Sequence, residues 1–207
     1  MKSGHHTQVA LRLTTLAFLG LVAAGTVHAG AAEAMQTAPV PAKKVTPQQL
    51  YLTSEQAHDM VSDASDAVLF IDIRTRSEVT FVGMPRVVDF NIPFMLEGDW
   101  KAWDEEKDTY KLAYNPEFIN NLRKAIERKG TGKEKETRII LMCRSGKRSA
   151  QAARILHIAG YRNVYSIIDG FEGDPVNAGE KKGQRLVNGW KNNGLPWSYR
   201  LEREKLL

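Results

Sequence analysis

Apolar residues recur along this chain with two different periods, and the switch between them predicts its elements. Residues 67–73, Ala-Val-Leu-Phe-Ile-Asp-Ile, form a nearly continuous apolar run of strand length, the pattern of a strand buried on both faces. Residues 137–142, ending in Ile139, Ile140, Leu141 and Met142, predict a second and central strand, and residues 163–168 a further one. Residues 86–93 alternate imperfectly and also predict a strand. Between these runs the period changes. Thr53-Ser54-Glu55 offers a capping hydroxyl and an acid in the first turn of a short helix running toward Val61. Asn115-Pro116-Glu117 opens another helix, whose apolar positions Phe118, Ile119, Leu122, Ala125 and Ile126 keep helical spacing until Gly130. Residues 150–159 predict a third. Strands alternating with helices predict an α/β domain with a central parallel sheet flanked by helices on both faces.

Two connections are longer than that alternation needs, at residues 95–115 and 174–188. The first carries Trp100, Trp103 and Tyr110 among many charges, so it is expected to pack on something. The second is rich in Gly and Lys and reads as a solvated excursion. Residues 1–29 read as a signal peptide, with Lys2 and Arg12 before an apolar stretch too short for a membrane anchor and Val27-His28-Ala29 as the cleavage site. Residues 30–46, rich in Ala and Pro, predict a disordered leader, and residues 47–207 one folded domain. These features predict a periplasmic protein with no stable membrane anchor after cleavage. The net charge of +5 includes Lys2 and Arg12 of the signal segment, which has no acid, so +3 remains, too little to argue for nucleic acid.

Cys143 is the only cysteine, and a chain with one cannot form an internal disulfide in an oxidising compartment. It stands between the central strand and the segment Arg144-Ser145-Gly146-Lys147-Arg148-Ser149, which leads into a helix. A thiol at a helix mouth among cations is pushed toward the thiolate, which is the nucleophile. Backbone N–H groups of residues 144–149 are expected to form a concave anion site around the sulfur, with Gly146 permitting the tight curvature. Cations normally avoid a helix N-terminus, so Arg144, Lys147 and Arg148 together predict that an anion joins them.

The run Cys143 to Ser149 resembles the active-site loop of rhodanese-domain sulfurtransferases, C-x-x-G-x-R-S. Leu69 to Arg74 with Glu78, the opening from Leu52 to Ala57, the stretch from Asn163 to Gly173, and Gly189-Trp190-Lys191-Asn192-Asn193-Gly194-Leu195-Pro196 resemble further signatures of the same family. The resemblance implies a single rhodanese-like domain in which Cys143 takes sulfur from a small sulfur-containing anion such as thiosulfate, becomes a persulfide, and passes the sulfur to cyanide or a thiol. It implies that Arg144, Ser145, Gly146, Lys147, Arg148 and Ser149 bind substrate, that Asp72 and Arg74 support the loop, and that no cofactor or metal takes part. The family's Gly-His-Ile-Pro-Gly-Ala turn stands here as Gly83-Met84-Pro85-Arg86-Val87-Val88, without its histidine; Asp169 stands where the family has the first glycine of a pair, and residues 174–188 separate Gly173 from Trp190, so an unusual pocket rim and substrate choice are expected.

Two other readings compete. A cysteine phosphatase needs five residues between cysteine and arginine, whereas Cys143 and Arg148 enclose four. A non-catalytic rhodanese-like binding module, or a sulfur carrier dedicated to a periplasmic partner, would use the same surface. Exposure of Trp100 and Trp103 would favour partner binding, and packing over Cys143 would favour a lid. Gly130-Thr131-Gly132-Lys133-Glu134 lacks the Ser or Thr of a phosphate-binding loop, and His58 and His157 show no metal-ligand spacing.

Overall fold

Strands and helices follow in the order β1 (Tyr51–Leu52), α1 (Ser54–Ala64), β2 (Val68–Asp72), α2 (Arg76–Val82), β3 (Phe90–Asn91), β4 (Met95–Glu97), β5 (Trp103–Asp104), β6 (Thr109–Tyr110), β7 (Leu112–Tyr114), α3 (Phe118–Lys129), β8 (Arg138–Met142), α4 (Lys147–Ile158) and β9 (Val164–Ile167). The structure, a computed structural model, describes residue 1 and residues 39–207 apart from residue 133. The signal segment beyond Met1, and the leader up to residue 38, lie outside the described residues.

β1, β9, β8, β2 and β3 form one sheet in that order, and every neighbouring pair is parallel. The apolar runs explain the arrangement. In β2, Leu69 and Ile71 pack on one face with Ile139 and Leu141 of β8, beneath Leu122 and Ile126 of α3 and Leu156 of α4. Val68 and Phe70 turn to the other face with Ile140 and Met142, beneath Ala57 and Val61 of α1 and Val79 of α2. Strands buried on both faces have no polar side to show, so their alternation is apolar against apolar. Cys143, directly after the central strand β8, lies at the carboxyl edge of this sheet, where ligands bind in such folds.

Several boundaries differ from the sequence-based expectation. α2 was not expected, yet it carries a complete capping box: Thr75 Oγ1 accepts from Glu78 N, and the Glu78 carboxylate accepts from Thr75 N. α4 begins at Lys147 rather than residue 150, because Gly146 supplies the turn into it at φ +87°. The strand expected over residues 86–93 shrinks to Phe90–Asn91.

The leader, expected to be disordered through residue 46, joins the folded unit from Val40. Lys44 is 3% exposed, donating to Ile168 O (2.7 Å) and to both carboxylate oxygens of Asp174 (2.8 and 3.0 Å). An Ala- and Pro-rich composition gives no local sign of such a distant ion pair. Residues 95–114 fold into an antiparallel ribbon, with β4 paired to β7 and β5 to β6. Trp100 and Trp103 pack edge-on against Tyr110 at 5.0 and 5.2 Å between ring centroids. Their company is the ribbon itself, and they stay 68% and 40% exposed.

Candidate functional site

The site is built where β8 ends and α4 begins. Cys143 is 1% exposed, and its Sγ accepts a hydrogen bond from Gly146 N at 3.1 Å. The loop therefore curls back so that a backbone N–H at the mouth of α4 points at the sulfur. Glycine is required at 146: a Cβ there would lie 2.3 Å from Ile168 O, and φ of +87° is strained for any other residue. Gly170 closes the other side, since a Cβ would meet Cys143 O at 2.5 Å. The turn after β9 then fastens the loop through its main chain. Phe171 N donates to Cys143 O (2.8 Å), and Glu172 N and Gly173 N donate to Arg144 O (3.0 and 3.2 Å).

Sequence-predicted residues fall into distinct places around this loop. Arg144 and Lys147 are exposed at its rim, whereas Ser145 and Ser149 are buried. Ser149 Oγ has no hydrogen-bond partner among the described residues. Arg148, expected among the substrate-binding residues, already has an anionic partner within the chain. Its Nη1 and Nη2 both donate to the Glu78 carboxylate, at 2.7 and 2.5 Å. One of the three loop cations thus has its counter-anion inside the chain. Burial alone would favour a neutral Arg148, but the Glu78 hydrogen bonds and charge outweigh it, reinforced by Cys143 and Asp72, and hold the guanidinium firmly charged. For Glu78, burial pushes the pKa up, yet Arg148 and the Thr75 N–H overcome this and leave it below its ordinary range.

Asp72 and Arg74 lie beneath. Arg74 Nε and Nη2 grip the Asp72 carboxylate (3.0, 3.1 and 2.6 Å), and Nη2 also donates to Gly83 O (2.8 Å). The Arg74 guanidinium stacks 3.9 Å over the centroid of Phe171, whose N–H holds Cys143 O. This buried pair is linked to the loop through Phe171, and its charges also act on Arg148 and Glu78.

Asp169, at the departed glycine position, is a structural hub. It accepts from Ser54 N (2.9 Å), Ser54 Oγ (2.8 Å) and Gly189 N (3.1 Å), which ties the start of α1 to the segment entering Trp190. Burial pushes its pKa up despite those hydrogen bonds.

A family model for the Rhodanese-like domain matches residues 53–173. The chain belongs to this family. The matched stretch runs from the start of α1 to the turn that holds Cys143 O, and Lys44 and residues 174–207 lie outside it. Its sequence is 33% identical over 148 residues to an uncharacterized protein of Rickettsia rickettsii, covering 72% of this chain and 96% of that one. An uncharacterized protein of Rickettsia prowazekii shows the same identity and coverage. Among solved structures, Rv0390 from M. tuberculosis is similar at 30% identity with a TM-score of 0.52, covering 72% of this chain and 97% of that chain.

Sequence reasoning missed the role of Glu78 and the contribution of Arg185. The Thr75-x-x-Glu78 spacing is a readable capping signature that would have placed Glu78 at a helix start. No local signal marks Arg185, whose Nη1 donates to Gly173 O at 2.6 Å and so brings the expected solvated excursion back to the site.

Proposed function

We propose that this rhodanese-like domain is a sulfurtransferase that carries sulfane sulfur as a persulfide on Cys143. The observation that carries this reading is the Gly146 N–H aimed at Cys143 Sγ at the mouth of α4, with Arg144 and Lys147 exposed beside it. In the first half-reaction the Cys143 thiolate attacks the outer sulfur of a donor such as thiosulfate. The donor S–S bond breaks, and sulfite leaves with the electron pair. In the second, a cyanide or thiol nucleophile attacks the outer sulfur of the persulfide, and Cys143 leaves as thiolate. One transfer is split into two steps by an activated nucleophile, with helix amides and fixed cations holding the negative charge in each.

A second reading, a carrier that delivers its sulfur to one protein partner, is favoured by the exposure of Trp100 and Trp103 on the β5–β6 ribbon. Thiosulfate:cyanide turnover with mass spectrometry separates the readings. Turnover, a gain of one sulfur atom on Cys143, and loss of both in Cys143→Ser are expected. A persulfide without turnover selects the carrier. Neither signal, in a folded and reduced sample, overturns both in favour of a binding module.

A further inference from the structure

The rim of the Cys143 loop carries more positive charge than the loop itself supplies, and the excess comes from both sides of the family-matched stretch. Arg185 is brought in by residues 174–188, which fold back through Val176 N to Gln184 O (2.8 Å) and Gly183 N to Val176 O (2.9 Å). Its Nη1 is fixed on Gly173 O, and Gly173 N donates to Arg144 O. Arg185 is therefore tied to the Cys143 loop from outside it, through Gly173 and the Arg144 carbonyl, and lies near enough to Cys143 and Arg144 for their charges to act on it. On the other side, Lys44 anchors residues 40–46 by donating to Ile168 O, the carbonyl against which Gly146 packs. That anchor holds the turn of residues 42–44 against α4, which sets the exposed Lys43 close enough to Lys147 for their like charges to act on each other.

These cations crowd one another. Burial and then the charges of Lys43, Arg185 and Lys44 hold Lys147 below its ordinary pKa, and burial and then Arg144 do the same to Arg185. Local acids do not cancel the cluster: Lys44 and Asn188 take Asp174, leaving Glu172 as the other acidic neighbour of Arg185. Like charges gathered on one rim attract an anion.

Resting on the sulfur-transfer reading, we propose that Arg185 and Lys43, with Arg144 and Lys147, form an acceptor subsite for small thiols that carry carboxylates several bonds from their sulfur. A thiosulfate donor bears its charge on the atom next to the transferred sulfur, within reach of the loop amides. Arg185, held outside the loop on Gly173 O, and Lys43, outside the family-matched stretch, instead match charge displaced from the reacting atom. In the transfer the acceptor thiolate forms a bond to the outer sulfur of the Cys143 persulfide while the persulfide S–S bond breaks. The acceptor leaves as a persulfide and Cys143 is regenerated as thiolate, so no oxidant or reductant is consumed.

The test uses the whole chain with thiosulfate as donor and three acceptors compared at equal thiolate concentration: mercaptosuccinate, 3-mercaptopropionate and 2-mercaptoethanol. The expected order of kcat/KM follows the number of carboxylates, with about threefold per carboxylate, the worth of a solvent-facing ion pair. Added salt flattens the series. Arg185→Ala and Lys43→Ala are expected to raise the acceptor KM for mercaptosuccinate more than that for 2-mercaptoethanol, and Arg185→Lys to restore most of the difference. A flat series in the unaltered protein overturns the proposal. So does an Arg185→Ala effect as large on the thiosulfate KM as on the mercaptosuccinate KM, which would assign the rim to the donor. Failure to form a Cys143 persulfide from thiosulfate, before any acceptor is added, overturns the sulfur-transfer reading beneath it.

Discussion

Arg148 shows how a residue type can be read correctly while its partner is not. Its place beside Cys143 at the start of α4 follows from the chain order, but its pairing with Glu78, seventy positions away, does not. Both side chains are largely buried, so removing one partner strands the other's charge. Glu78→Gln is expected to cost about 2 kcal/mol in urea unfolding at neutral pH. The pH dependence has a definite sign. Because the folded-state pKa of Glu78 lies below its ordinary value of 4.5, the pair's contribution is present above about that pH and is lost as pH falls through the depressed value. Glu78→Gln should therefore flatten the acid limb of the stability curve. An unchanged limb would show that the pair contributes nothing.

At the scale of elements, the strongly periodic segments formed as expected. β2, β8 and β9 arise from apolar runs, and α3 keeps its apolar stripe and ends at Gly130 in the left-handed conformation. α2 is seven residues long with only Val79 buried, so it has little stripe to detect, and its capping box is its clearest mark. The β5–β6 ribbon behaves differently again. Its tryptophans meet Tyr110 and solvent, which favours a surface for another molecule over a lid on Cys143. Replacing both Trp100 and Trp103 with Ala is expected to leave thiosulfate:cyanide turnover within about twofold, or about 0.4 kcal/mol of barrier. A larger loss with these small substrates would restore the lid.

Across the whole molecule, the segments outside the family-matched stretch act on the site from both ends of the domain. Lys44 and Asp174, 130 positions apart, meet in a pair whose lysine is almost wholly buried. Lys44→Met is expected to destabilise the protein by about 1–2 kcal/mol, a fall in Tm of about 2–8 °C by calorimetry. No change would mean that the Lys44–Asp174 pair does not hold residues 40–46 in place. The sequence by itself determined the alternation of strands and helices, the parallel sheet and the position of Cys143 between a central strand and a helix. These are legible because hydrophobic period, helix caps and glycine turns act over a few neighbouring residues. Only the tertiary structure decided that Arg148 is held by Glu78, that Lys44 ties residues 40–46 to the folded unit, that Arg185 reaches the rim and that the ribbon's tryptophans face solvent. A side chain's type states what it can bond to, but which partner it meets depends on residues far along the chain that only the folded sheet brings together.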